Sequence, residues 1–139
     1  MVRLILGLKG SGKTKLLVDL VRKAVEEENG SVICLEKDKK LTYDIPYTVR
    51  LIHASDYKFG AAEFFKGFIS GLHAANYDIT HIFIDNFFKM FSDVGLDGMG
   101  ALIAELDAFG EAEGVKFTIS ATCDPALVGD DVKKYVRAQ

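Results

Sequence analysis

A glycine-rich segment close to the amino terminus constrains this chain more than any other feature. Residues 7–14 read GLKGSGKT and follow the spacing G-x-x-x-x-G-K-[ST]. The residues that satisfy the spacing are Gly7, Gly12, Lys13 and Thr14, with Gly10 as an additional glycine. An apolar, β-rich run from Val2 to Leu6 precedes the segment, and a helical pattern follows it. The sequence therefore predicts a strand, a tight loop and a helix in direct succession.

The residue types in this loop suit the binding of phosphate groups. Glycines let successive backbone N–H groups point inward at the positive end of a helix, where they form an anion site. Lys13 would add a charge for the β- and γ-phosphates, and Thr14 could ligate a Mg²⁺ bound to those phosphates. The expected contacts are Gly7, Leu8, Lys9, Gly10, Ser11, Gly12, Lys13 and Thr14. The alternative is a glycine-rich turn that binds nothing.

Strand and helix patterns alternate along the rest of the chain. Strands are predicted at Val2–Leu6, Ser31–Glu36, Tyr47–His53, Ile79–Asp85 and Val115–Ala121. Helices are predicted from Thr14 to a stop at Asn29-Gly30, near Gly60–Ala75, over Gly100–Glu113, and in a short last turn with Asp130 or Asp131 as N-cap. This alternation is typical of an α/β fold with a parallel sheet. Because no linker or repeat interrupts it, residues 1–139 are expected to form one domain.

Composition excludes several classes of protein. The 139 residues carry 17 basic and 20 acidic side chains, and 49% are apolar. This balance argues against disorder and against a global basic face for nucleic acid. No membrane-length apolar run or secretory signal is present, so a cytoplasmic location is expected. Cys34 and Cys123 are expected to be free, buried thiols, and the three dispersed histidines do not suggest a metal site.

Asp85 is a second candidate site residue. It ends the apolar run HIFID, and ligands of open α/β sheets gather at the carboxyl ends of strands. A carboxylate there could orient the water shell of a phosphate-bound Mg²⁺. The alternative is a turn or cap residue after a strand.

Both motifs resemble those of a known family. GLKGSGKT and HIFID are similar to the Walker A and Walker B motifs of P-loop NTPases, and the strand spacing resembles the RecA-like, additional-strand branch. The resemblance implies a three-layer αβα fold with a mainly parallel five-stranded sheet of order 3-2-4-5-1. It also implies ATP and Mg²⁺ as cofactors, Thr14 and Asp85 at the metal, and Ser120 or Thr122 facing the γ-phosphate.

The resemblance also bears on catalysis. Many RecA-like ATPases carry a water-activating glutamate at the end of the second strand, where this chain has Glu36. Other relatives place a glutamate directly after the Walker B aspartate, where this chain has Asn86. The resemblance therefore implies slow ATP hydrolysis with Lys13, Glu36 and Asp85 as catalytic residues. The alternative for Glu36 is a solvated charge beside the basic segment 37–40.

Two further functions stay open at this point. Small stand-alone ATP-binding proteins of bacteria are similar in size, and a nucleotide-dependent binding switch is one alternative. Its docking patch would be Phe87, Phe88, Met90 and Phe91, which are otherwise core residues. An uncovered edge at the first strand would also permit self-association or a protein partner.

A small-molecule kinase is the other alternative. It would need several arginines, whereas this chain has four dispersed ones, at 3, 22, 50 and 137, interpreted as surface charges. No guanine-recognition motif is found, which favours ATP. The cluster of Lys37, Lys39 and Lys40 is interpreted as a solvated loop, and nucleic acid is not expected as a partner.

Overall fold

The computed structural model describes residues 1–57, 59–91 and 94–136. The strands are β1 Val2–Gly7, β2 Ser31–Glu36, β3 Arg50–His53, β4 Ile79–Asp85 and β5 Lys116–Thr122. The helices are α1 Lys13–Glu27, α2 Ala62–Ala75, α3 Leu96–Glu113 and the one-turn α4 Asp130–Lys133. Three short 3₁₀ turns lie at Ala54–Asp56, Phe87–Met90 and Pro125–Leu127. Each predicted strand and helix has a counterpart in this set.

The five strands form one sheet in the order β1-β5-β4-β2-β3, and each neighbouring pair is parallel. Read from the other edge, this is the predicted order 3-2-4-5-1. Helix α1 covers one face, where Leu17 and Val21 pack with Ile5, Cys34 and Phe83. Helices α2 and α3 supply Phe65 and Leu106 to the core on the opposite face. The predicted three-layer α/β fold is confirmed.

Strand β3 is shorter than predicted. It begins at Arg50, and Tyr47 lies outside the sheet with 98% of its surface exposed. The preceding loop turns back through hydrogen bonds from Asp44 N and Ile45 N to the carbonyl of Leu41. Its apolar side chains, Leu41, Ile45 and Val49, are buried in the core beneath α1. The first three residues of the predicted strand therefore belong to this buried loop and not to the sheet.

Helix α3 begins four residues earlier than predicted because glycine does not stop it. Gly100 is buried, and a β-carbon there would collide with the side chain of Asp131. This glycine therefore serves the close packing of α4 on α3. The N-cap of α4 is Gly129 without a side-chain hydrogen bond, so the predicted cap at Asp130 or Asp131 is wrong. Both acidic residues lie in the first turn, where they complement the helix dipole.

Strand β1 lies at the edge of the sheet, but this edge is covered in part. Leu4 N donates to the carbonyl of Tyr135 at 2.8 Å, and Leu4 forms a parallel bridge with Val136. Val132 and Tyr135 are buried and anchor this segment. The expectation of an uncovered edge is therefore wrong at this point.

The aromatic segment after β4 belongs to the core. Phe87, Met90 and Phe91 are buried, and Phe88 is half-buried. The ring of Phe65 in α2 lies 5.8 Å from that of Phe87 and 5.2 Å from that of Phe91. The core interpretation of this segment is therefore right, and its interpretation as an exposed docking patch is wrong.

The expectation that both cysteines are buried thiols is wrong for one of them. Cys34 is buried, which raises the pKa of its thiol, but Cys123 is only half-buried beyond the end of β5. Among the described helices, none is long and apolar enough to cross a membrane.

The α1-facing side of β5 is polar throughout, although a helix covers it. Its side chains are Lys116, Thr118, Ser120 and Thr122, whereas Phe117, Ile119 and Ala121 on the other face are buried in the core. Partners on β4 and directly after α1 satisfy two of these polar groups: Thr118 Oγ1 lies 2.8 Å from His81 Nε2, and Lys116 Nζ donates to Glu28 at 2.6 Å. A polar row therefore runs beneath α1 from one end of the sheet to the other.

We expect opposite effects from alanine at two helical glycines. Gly71→Ala in α2 meets no atom within 4 Å and should raise the free energy of unfolding by about 0.5–1 kcal/mol. Gly110→Ala in α3 would collide with the carbonyl of Val115 and should lower it by about 1–3 kcal/mol. Urea denaturation of both variants measures the difference, and a stabilised Gly110→Ala would contradict this packing.

We expect stability to decrease in mild acid because of His81. Burial lowers the pKa of His81 to about 4, despite the carboxylate of Glu28 at 3.8 Å. In the unfolded chain His81 binds its proton near pH 6.5. The contribution of neutral His81 to the free energy of unfolding is therefore fully present above that pH and is lost progressively down to about pH 4. Urea midpoints between pH 7 and pH 4 should decrease less in His81→Gln. An equal slope in the two proteins would contradict this assignment.

Candidate nucleotide site

The loop between β1 and α1 is a tight turn that requires glycine. Gly10 and Gly12 have φ of 85° and 87°, a region that other residues adopt at a cost. A β-carbon on Gly7 would collide with the side chain of Ser11, because the loop folds back over the end of β1. Ser11 N donates to the carbonyl of Leu8 at 3.1 Å, which closes this turn. The loop therefore leads directly into the amino terminus of α1.

Lys13 is the first residue of α1, and only 6% of its surface is exposed. Its Nζ lies 3.4 Å from the carbonyl oxygen of Leu8 and donates to it. The ammonium group is thus held over the loop rather than extended into water. Lys15, two residues later, has a side chain that is 86% exposed and pairs with Asp19. The structure therefore distinguishes one lysine directed to the loop from one directed to solvent.

Asp85 and Thr14 lie together although 71 residues separate them in sequence. Thr14 Oγ1 is 3.5 Å from Asp85 Oδ1. Ser120 Oγ donates to the same oxygen at 2.6 Å, and Asn86 Nδ2 lies 3.4 Å from Oδ2. Parallel strands β4, β5 and β1 end at the same edge of the sheet, so these groups meet beside the loop. The two residues predicted to be near a metal are therefore in contact.

The surroundings of Asp85 fit a divalent cation. The residue is 5% exposed, and Thr14, Asn86 and Ser120 contact its carboxylate with neutral hydroxyl and amide donors. No group of three or more His, Cys, Asp or Glu side chains that could hold a metal is found among the described residues. Mg²⁺ commonly takes one or two protein oxygens and completes its shell with water and phosphate oxygens. Thr14 and Asp85 match that pattern when a phosphate ligand lies in the loop.

The residues at the ends of β4 and β5 are linked to one another. Asn86 has φ 56° and is the sole non-glycine residue with positive φ in the described part of the chain. Its backbone N–H donates to Ser120 Oγ at 3.2 Å, and its side-chain oxygen accepts from Thr122 Oγ1 at 3.5 Å. Thr122 is half-buried and pairs in register with Gly7. Ser120 is fully buried and bonded to Asp85, so Thr122 is the more accessible of the two residues expected to face the γ-phosphate.

The support that Asn86 and Ser120 give to Asp85 is not predicted from the sequence. The resemblance marks position 86 only as one where other relatives have a glutamate, and it gives Ser120 only as one of two γ-phosphate contacts. The alternation of polar residues along β5 was a signal, because a polar row in a strand that helices cover on both faces requires buried partners.

Glu36 is held by the loop that follows β2. It pairs in register with Asp85, yet only 1% of its surface is exposed. Its carboxylate accepts hydrogen bonds from Lys40 N at 2.9 Å and Leu41 N at 3.2 Å, and His53 Nδ1 lies 3.3 Å away. The interpretation of Glu36 as a solvated charge is therefore wrong. The loop after β2 folds over the carboxylate and replaces its water.

The other charged candidates lie away from this site or face solvent. Lys39 and Lys40 are exposed and pair with Asp56 at 2.9 Å and Asp38 at 3.9 Å, as in a solvated loop. Arg3 is half-buried with a buried Nε, so its interpretation as a surface charge is wrong. The arginine at 137 lies outside the described residues.

No protein-family model matches this chain, and no curated protein matches it in sequence. Its fold is similar to a solved structure, the flagellar accessory protein FlaH from Methanocaldococcus jannaschii, with a TM-score of 0.60 and 15% sequence identity. The match covers 96% of this chain and 65% of FlaH, so the chain spans just under two thirds of that protein's length. This similarity supports the three-layer α/β fold.

We expect Glu36→Gln to destabilise the fold. The variant loses the negative charge that accepts two backbone N–H groups, which should lower the free energy of unfolding by about 1–3 kcal/mol. Glu26→Gln is the matched control because Glu26 is exposed on α1. Urea unfolding of both variants measures the effect, and equal stabilities would show that Glu36 does not hold the loop.

Proposed function

We propose that this chain is a single nucleotide-binding domain that binds ATP with Mg²⁺ and hydrolyses it slowly. The contact between Thr14 and Asp85 carries this proposal, because it joins the end of the glycine loop to a buried carboxylate. The loop, Lys13 and the metal-side oxygens then surround one position beside the amino terminus of α1. A triphosphate is the ligand whose charge and length suit all three features.

Each side chain has a defined part in this mechanism. The loop N–H groups and Lys13 would bind the phosphates, and Lys13 would offset the charge that develops on the γ-phosphate. Asp85 would be held in place by Ser120 and would orient the metal's water shell. Thr122, at the carboxyl end of β5 beside Gly7, would contact the γ-phosphate. When bound, Mg²⁺ would supply further neutralisation of phosphate charge.

Slow hydrolysis is expected because neither Glu36 nor Asn86, the residues at the two positions of a catalytic base, is free to activate water. The carboxylate of Glu36 accepts two backbone hydrogen bonds, so it must leave the loop before it can orient an attacking water. Asn86 carries an amide, which cannot accept a proton as a carboxylate does. A nucleotide-dependent binding switch with negligible hydrolysis is therefore the second candidate function. A hydrolysis rate that is unchanged in a folded Glu36→Gln variant would exclude Glu36 as the base.

We expect Lys13→Ala to weaken ATP binding at least about tenfold, because the buried ammonium group that faces the loop is removed. Lys15→Ala is the matched control, since it removes the same charge from the solvent side of the same helix. Titration calorimetry with ATP and Mg²⁺ measures both affinities.

Three results would contradict the proposal in different ways. Equal losses in the two lysine variants would indicate a general charge effect, and no binding to the unmodified chain would exclude the nucleotide site. Equal affinity with and without Mg²⁺ would exclude the metal from the complex. Phosphate release in the same samples separates the slow ATPase from the binding switch.

A further inference from the structure

A second cavity lies at the end of the sheet opposite to the glycine loop. It has a volume of about 160 Å³ and lies between the carboxyl-terminal half of α1 and strands β1, β4 and β5. Arg3, His81 and Thr118 contribute the polar part of its wall from the sheet. Lys116 and the largely buried Glu28 also line it. None of the glycine-loop residues 7–14 lines it.

Arg3 is the group that this cavity leaves without a partner. Its side chain lies on the α1 side of β1, beside its register partner Thr118. Its Nε is buried and has no hydrogen-bond acceptor among the described residues. A guanidinium group stays charged at any pH that a protein tolerates, so an unmet buried N–H there is costly. An acceptor in the cavity would remove this cost.

A second unmet atom faces the same space. His81 Nε2 lies 2.8 Å from Thr118 Oγ1, whereas His81 Nδ1 is buried and lies 3.8 Å from Glu28 Oε2, beyond hydrogen-bond distance. If the hydroxyl of Thr118 donates to Nε2, then Nδ1 carries the hydrogen of the neutral ring. The wall then presents two buried N–H donors from β1 and β4, the two strands that flank β5, and these suit an acceptor with more than one oxygen.

The charges around the cavity favour an anion. Glu28 is paired with Lys116 at 2.6 Å, and Glu27 lies 3.9 Å from Lys23. Each acidic group therefore has its own lysine, which leaves the charge of Arg3 uncompensated. The planar guanidinium fork matches carboxylate and phosphate groups, which it can bind through two parallel hydrogen bonds.

We infer that this cavity is a second binding site, which takes a small oxyanion, either a phosphate or a short carboxylate, with Arg3 as its main ligand and His81 and Thr118 beside it. The volume limits the occupant to a molecule of about the size of inorganic phosphate or malonate. Arg3 and the glycine loop lie at opposite ends of the polar row beneath α1. This site does not depend on nucleotide binding.

Phosphate and malonate are the probes, each titrated into the Lys13→Ala chain so that the glycine loop contributes little. We expect both to shift the ring resonances of His81, and the tighter of the two identifies the preferred chemistry. Adding Arg3→Gln should weaken binding at least about tenfold. Arg50→Gln is the matched control, because Arg50 is an exposed strand arginine.

Resonances of His81 that do not move at millimolar probe, or equal affinity in Arg3→Gln and Arg50→Gln, would overturn the site. If Arg3→Gln fails to fold, a crystal structure of the unmodified chain decides whether the site exists. A crystal structure from phosphate or malonate solution should show the anion on Arg3, and a cavity that holds only water would exclude this site. The glycine-loop site can fail without affecting these results.

Discussion

The hydrogen bond from Ser120 to Asp85 is the interaction on which the candidate nucleotide site depends. A carboxylate that is 5% exposed has lost most of its water, and the fold must replace that water with donors. Ser120 supplies the shortest of these bonds from the neighbouring strand, at 2.6 Å, and also accepts from the backbone of Asn86. The position of Asp85 beside Thr14 therefore follows from the pairing of β4 with β5.

This arrangement explains why β5 carries polar residues under a helix. In most covered parallel strands both faces are apolar, because helices exclude water from each side. Here the face beneath α1 alternates with a fully apolar face, and its hydroxyls meet groups at positions 81 and 85 of β4 and at position 86 directly after it. The strand serves the core with one face and positions ionisable groups at both ends of the sheet with the other. Strand β5 therefore contributes both to the packing of the core and to the geometry of the candidate sites.

The sequence predicted the sheet and the glycine loop because their signals are local. Continuous apolar runs, the spacing of glycines and the periodicity of α1 each lie within a few neighbouring residues. The contact of Thr14 with Asp85 was also expected, since the carboxyl ends of parallel strands share one edge. The surroundings of Glu36 and Arg3 could not be predicted in this way. They depend on how the loop after β2 folds back and on which atoms lie beneath α1, and both are set by tertiary packing.

The place of β1 in the sheet has a consequence for synthesis of the chain. The partner of β1 is β5, and register pairs such as Val2 and Phe117 lie about 115 residues apart. The glycine loop leaves β1 at Gly7, which pairs with Thr122. During translation, the first strand must therefore wait for nearly the whole domain to leave the ribosome before it finds its neighbour. Until then it remains an unpaired apolar segment, of the kind that chaperones bind.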